Sequence, residues 1–252
     1  MLTELPTSRF LDLDFVDVSY AEIAAELDRM SRTGKFATVV TPNVDHIVML
    51  HHQGADDVAK QFRSAISAAS LLACDSRILK ALAALRGIKL QVVTGSDLTA
   101  YLFNHGFFDN RRVALIGGDP EMLSELTRRY PSIQLAQHIP PMGVLGNEAA
   151  IREIENFVVS SGFDYVLFAM GAPRSEIIAQ RCSLLPGASG VALCIGASIE
   201  FLLGRKARAP RWVQKIGMEW AFRLMSEPRR LWRRYLVSGP RVFRIVSKWE
   251  RS

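Results

Sequence analysis

Asp75 follows the apolar run 70–74 and precedes a helical pattern, which puts one carboxylate at the rim of a ligand crevice. A carboxylate so placed suits a general base, which contributes on the order of 10²- to 10⁴-fold when it reaches the hydroxyl it deprotonates. The same position would equally serve a helix N-cap. Thr41 and Asn43 end the run 36–40 and are neutral hydrogen-bonding groups suited to sugar hydroxyls, although they could instead cap a helix starting at Val44. Further along, apolar runs end in turns that contain Gly95 and Asp97, Gly117 and Gly118, Gly171 and Pro173, and Gly196. Glycine lets a backbone approach a phosphate, and the N-terminus of the next helix favours anionic groups. Turns use the same residues without any ligand.

Other constellations are missing. There is no GxGxxG and no GxxxxGK[ST], so the dinucleotide and P-loop readings lack their signatures. His46 and His51 are five residues apart, and no histidine pair has the i, i+4 spacing of two imidazoles on one helical face, so no metal site and no cofactor are expected. Cys74, Cys182 and Cys194 form no CxxC and are read as packing residues.

Residues 205–252 hold 14 of the 31 Lys and Arg but only three acids, Glu219, Glu227 and Glu250, which leaves the first 204 residues net acidic. At helical spacing Val242, Ile245, Val246 and Trp249 share one arc, with Arg241, Arg244, Lys248 and Arg251 opposite. Leu231, Trp232, Tyr235 and Leu236 oppose Arg229, Arg230, Arg233 and Arg234 in the same way. Upstream, Val213, Ile216, Gly217, Trp220 and Leu224 form a stripe backed by Arg211 and Lys215. Basic helices with such apolar faces lie well on an anionic bilayer, where each cation contributes roughly 1 kcal/mol. A solvated face packed on the core, or a nucleic-acid surface, would use the same residues. Segregation of the rings from the charges favours the membrane and counts against nucleic acid, whose stacking platforms need rings beside charges.

The elements that must position these groups are legible as short apolar runs at 36–40, 70–74, 90–93, 113–116, 133–136, 165–170 and 191–195, alternating with amphipathic stretches such as 119–129 and 147–161. Such runs suit strands buried on both faces. The alternation predicts an α/β fold, a doubly wound, mostly parallel (Rossmann-like) sheet over residues 1–204, followed by a basic helical appendage over 205–252. No window reaches the roughly 18 apolar residues of a spanning helix, and the N-terminus lacks the order of a signal peptide. The expected location is cytoplasmic, peripheral on the inner face of the cell membrane.

The block 208–236, RAPRWVQKIGMEWAFRLMSEPRRLWRRYL, closely resembles the C-terminal signature of the WecG/TagA/CpsF family of bacterial glycosyltransferases. The likeness runs upstream through Thr41-Pro42-Asn43, Asp75, Thr94 to Leu98, Gly117 to Pro120, Gly171 to Pro173, Glu176 and the 196–204 turn. It implies an inverting, metal-independent transfer of a sugar from a UDP-sugar to a polyprenyl-diphosphate-linked sugar at the membrane face, with self-association of the protein. Asp75 then matches the family's general base, Thr41 and Asn43 its polar neighbours, Glu200 an acid near the nucleotide, and Arg223, Arg230 and Arg233 arginines that engage the diphosphate. The sequence departs from the family pattern at Ser76, Gln91-Val92, Ser175 and the 137–143 loop. Set against this reading is a module that binds a nucleotide-sugar or nucleic acid without catalysis.

Overall fold

A computed structural model describes residues 5–52, 56–210, 213 and 217–250. A hairpin, β1 (Thr7–Phe10) and β2 (Leu13–Val16), precedes the main domain. Its two-residue turn places both Leu11 (φ 53°) and Asp12 (φ 61°) in the left-handed region, the backbone of a type I′ turn. Nothing in the sequence announces this hairpin, because such turns are usually marked by Asn or Gly. Next come α1 (Tyr20–Ser31), β3 (Phe36–Val40), α2 (Val44–Leu50), α3 (Asp57–Ser67), β4 (Leu71–Leu72), α4 (Arg77–Leu85) and α5 (Gly95–Asn104). β5 (Arg112–Ile116), α6 (Pro120–Arg129), β6 (Gln134–His138), a short 3₁₀ turn, α7 (Glu148–Ser160), β7 (Tyr165–Phe168), α8 (Arg174–Ser183), β8 (Gly190–Cys194) and α9 (Ser198–Leu202) complete the domain.

Strands β3 to β8 form one parallel sheet in the order β4-β3-β8-β7-β5-β6. The doubly wound parallel fold expected from the alternating pattern is therefore present. Period-2 alternation divides each central strand between two cores. Ala114, Ile116, Val166, Phe168, Ala192 and Cys194 face one layer of helices, while Val113, Leu115, Tyr165, Leu167, Val191 and Leu193 face the other. Burial on both faces is why these runs are continuously apolar. All three cysteines are buried and unbridged, with burial pushing the Cys74 and Cys182 thiols up to about 12.

Side-chain caps start α1 to α7. Ser19 and Glu22 form a capping box on α1, while Asp56, Ser76, Thr94, Asp119 and Asn147 cap α3 to α7. Three expected strands are cut back, and the run 70–74 keeps only Leu71–Leu72 as β4. Residues 90–93 form no strand: a single bridge joins Cys74 to Val92, and the Val93 amide donates to Cys74 O. The run at 165–170 leaves the sheet after Phe168, where the chain turns through Gly171 (φ 74°).

The chain after α9 returns along the carboxyl edge of the sheet. Its described helices are α10 (Glu219–Ser226), α11 (Pro228–Trp232), a π-helical turn (Arg233–Ser238) and α12 (Arg241–Lys248). Of the upstream stripe, Arg211, Lys215 and Ile216 lie outside the described residues, as does Arg251 of the last helix. The apolar arc of α12 is turned inward, with Val242, Val246 and Trp249 buried in the core on the α2 and α4 side. Trp249 Nε1 donates to Asp12 Oδ1 (3.2 Å), its ring meets Phe10 edge-on at 5.3 Å, and Arg86 lies over its face. For this helix the arc read as membrane-facing is used in packing, while Phe243 is left exposed.

Candidate active site

The turns after β3 and β4 and the start of α5 meet at Asp75. Its amide donates to Pro42 O (2.9 Å), and its Oδ2 accepts from the Gly95 amide (3.2 Å). Capping of α4 falls to the neighbouring Ser76, whose Oγ accepts from the Leu79 amide (3.1 Å), so Asp75 is free of that task. The residue is half-buried, its carboxyl enclosed at the lining of a cavity. This enclosure pushes its pKa up to about 7, against the Gly95 amide, which pulls it down. Glu219 adds to the rise, and Arg223 and His46 oppose it. Thr41 is brought to the same point: a Cβ built on Gly95 would lie 2.7 Å from Thr41 Oγ1 and 3.6 Å from Asp75 Oδ2. Glycine at position 95 is thus a matter of space. Asn43 lines the cavity, and its Oδ1 caps α2 by accepting from the Asp45 and His46 amides.

The cavity measures about 480 Å³, within the range of about 300–1,000 Å³ usual for ligand sites. One wall comes from the sheet loops, with Asn43, Asp75, Ser76 and Thr94. The other comes from the C-terminal segment, with Glu219, Trp220, Arg223, Tyr235 and Phe243. Arg223 lies over the Phe201 ring at 5.3 Å, and Arg234 reaches Asp45 at 3.3 Å across the rim. The Arg234–Asp45 pair thereby joins the two walls.

A second, smaller cavity of about 220 Å³ opens beyond the ends of β5, β7 and β8, lined by Gly118, Asp119, Gly196 and Glu200. It lies where the winding reverses, because the chain leaves β5 toward β6 and leaves β7 in the opposite direction toward β8. Gly117 does not line it; its φ of 102° favours glycine, and a Cβ there would lie 3.2–3.3 Å from Met170 and Ala169. The Arg205 guanidinium beside Asp119 holds that carboxyl below its usual range, and Lys206 Nζ lies 2.6 Å from Glu200 Oε2.

Other expected site residues are placed elsewhere. Asp97 pairs with Arg208 (2.7 Å) and accepts from Thr94 Oγ1 at the start of α5. Gly171 and Pro173 line neither cavity; the Ala172–Pro173 bond between them is cis. Glu176 is 3% exposed, facing His46 Nε2 at 3.3 Å rather than a cavity, and among the described residues its other oxygen has no hydrogen-bond partner. Arg230 is exposed and paired with Glu227, and the exposed Arg233 lies over Trp232. Only Arg223 of the three signature arginines lines the cavity. Among the described residues no group of three His, Cys, Asp or Glu is placed to hold a metal ion.

A model of the glycosyl transferase WecG/TagA/CpsF family matches residues 8–252. The chain belongs to that family. It is also similar to the N-acetylglucosaminyldiphosphoundecaprenol N-acetyl-beta-D-mannosaminyltransferase of Bacillus spizizenii, with 26% identity over 98% of this chain and 93% of the relative. The protein is a glycosyltransferase. Two departures from the family pattern have structural uses, since Ser76 caps α4 and the buried Ser175 donates to Phe168 O.

No local pattern signals that His46, Glu219, Trp220 and Tyr235 approach Asp75 or Asn43. His46 has no second imidazole at i, i+4 spacing, yet the Asn43 amide donates to its Nδ1 (3.4 Å) and Glu176 holds the opposite nitrogen. The other three depend on the return of the C-terminal segment, which no local pattern encodes.

Proposed function

We propose that this glycosyltransferase moves a sugar from a UDP-sugar to a polyprenyl-diphosphate-linked sugar, with inversion and without a metal, at the inner face of the cell membrane. Asp75 takes the proton of the acceptor hydroxyl. That oxygen attacks the anomeric carbon, and the bond from this carbon to the UDP oxygen breaks with its electron pair leaving on UDP. A single displacement of this kind inverts the centre. The observation that carries the reading is that Asp75, near neutrality in its proton affinity, and Arg223 face one sugar-sized cavity. A base is most useful when its pKa lies near the working pH.

The switch-point cavity with Gly118, Gly196 and Glu200, and Gly117 beside it, is the natural seat for the nucleotide, with Gly95 and Asp97 at the next turn. Guanidinium groups suit diphosphate oxygens, so Arg223, with Arg230 and Arg233 further out, would engage the acceptor's diphosphate. Residues 1–204 would then be the catalytic part and 205–252 the acceptor- and membrane-binding part. Exposed Met225, Trp232, Leu236, Val237 and Phe243 beside exposed arginines support a membrane-facing surface. No helix among the described residues is long and apolar enough to cross a membrane. The relative's name supports N-acetylmannosamine as the sugar moved and N-acetylglucosaminyl-diphospho-undecaprenol as the acceptor.

The test is UDP release from UDP-N-acetylmannosamine with a prenyl-diphospho-N-acetylglucosamine acceptor, in the presence of chelator. We expect turnover with the chelator present. No release from this donor, nor from UDP-N-acetylglucosamine, UDP-glucose or the uronic acid, would sink the reading.

A further inference from the structure

Helix α10 turns Glu219 and Arg223 toward the cavity, opposite charges one helical turn apart. That is the spacing of an i, i+4 ion pair, yet none joins them. Among the described residues the Glu219 carboxylate has no hydrogen-bond or ion-pair partner, and Arg223 lies over Phe201 instead. The absence is notable in its setting. Glu219 is one of three acids in a segment with 14 bases, and Glu227, between α10 and α11, is paired with Arg230.

We propose that Glu219 is the second carboxylate of the reaction chamber, accepting a hydrogen bond from a hydroxyl or amide N–H of the acceptor sugar and so holding the attacking hydroxyl against Asp75. This rests on the glycosyl-transfer reading above. An ionised carboxylate only accepts hydrogen bonds, and a sugar supplies donors. Trp220, next along the helix, gives the cavity an aromatic wall suited to a sugar's C–H face. Arg223, one turn further, meets the diphosphate of the same molecule. One helix face therefore reads both parts of a diphospho-sugar.

The charge of Glu219 has a second effect, because a carboxylate facing Asp75 strengthens it as a base. The other charged or titratable groups around Asp75 are Arg223 from the same helix, His46 from α2, Tyr20 from α1 and Cys74 beside it. Asp45 and Arg234 at the rim neutralise each other, and Arg77 is exposed. Glu219 is the nearby acid without a counter-charge.

The experiment uses full-length Glu219→Gln and two soluble probes, a short-chain prenyl-diphospho-N-acetylglucosamine and the matching prenyl diphosphate without sugar. Loss of a charge-assisted hydrogen bond should weaken the sugar-bearing probe about tenfold and leave the other unchanged. In ¹³C-carboxyl NMR the Asp75 titration, identified by its loss in Asp75→Asn, should move to lower pH in Glu219→Gln. Unchanged affinity for the sugar-bearing probe overturns the proposal, as does equal weakening of both probes or an Asp75 titration that stays in place. Neither readout needs turnover, so absence of UDP release would count against the transfer reading alone.

Discussion

At Asp75 enclosure and function pull in opposite directions. Its proton affinity in the fold exceeds that of the unfolded chain, whose aspartates titrate at about 4. The protonated form is therefore the better-folded one, and the stability it contributes is full below about pH 4 and lost as the pH rises toward 7. Catalysis needs the other form. We expect kcat/KM to fall with decreasing pH below about 7, and Asp75→Asn to lower kcat on the order of 10²- to 10⁴-fold. The same variant should melt higher than the wild type at pH 8, a gain absent at pH 4. A second test lies at Gly95. In Gly95→Ala the new Cβ crowds Thr41 Oγ1 in the active site, so turnover should drop by up to roughly 10²-fold while the melting temperature barely changes. Full activity in that variant would mean that the Thr41 hydroxyl can turn away at no cost.

At the scale of elements, the caps and buried strands were legible because each rests on neighbours in sequence. Asp119 followed by Pro120 announces α6, and the run 113–116 announces β5. The failures have local reasons too. Residues 90–93 are as apolar as a strand, but they have only Cys74 to pair with beyond the short β4. Helix α12 shows the limit of periodicity: an amphipathic pattern identifies an apolar arc without saying what covers it. Here the arc covers the α2 and α4 side of the domain and is anchored by Trp249 between Phe10, Asp12 and Arg86. Trp249→Ala should cost about 3–5 kcal/mol of stability by chemical denaturation. It should also expose the C-terminal segment to protease before the rest of the chain.

Across the whole molecule, the division between an acidic body and a basic C-terminal segment is resolved in part by contact. Arg205 meets Asp119 and Glu125, Lys206 meets Glu200, Arg208 meets Asp97 and Arg234 meets Asp45. The cations left exposed, among them Arg229, Arg230 and Arg233, cluster with Trp232, Leu236 and Val237. If this surface meets an anionic bilayer, changing Arg229, Arg230 and Arg233 to Gln removes about 1 kcal/mol each, roughly two orders of magnitude in partitioning. Sedimentation with phosphatidylglycerol vesicles measures it, and binding to neutral vesicles should be weak for both proteins. Equal sedimentation of variant and wild type would place the membrane contact elsewhere.

The sequence by itself determined the parallel α/β sheet, the position of Asp75 at the carboxyl edge, the glycine turns and the uneven charge, because each follows from local pattern or from composition. It could not say that Glu176 would be buried against His46, or that Arg223 alone of the three signature arginines would line the cavity. Nor could it bring Glu219 opposite Asp75. The first depends on how two helices 130 residues apart in the chain meet; the other two depend on which face of a distant helix meets the rest of the chain, and that is decided by burial of Val242, Val246 and Trp249 and by ion pairs between residues far apart in the chain.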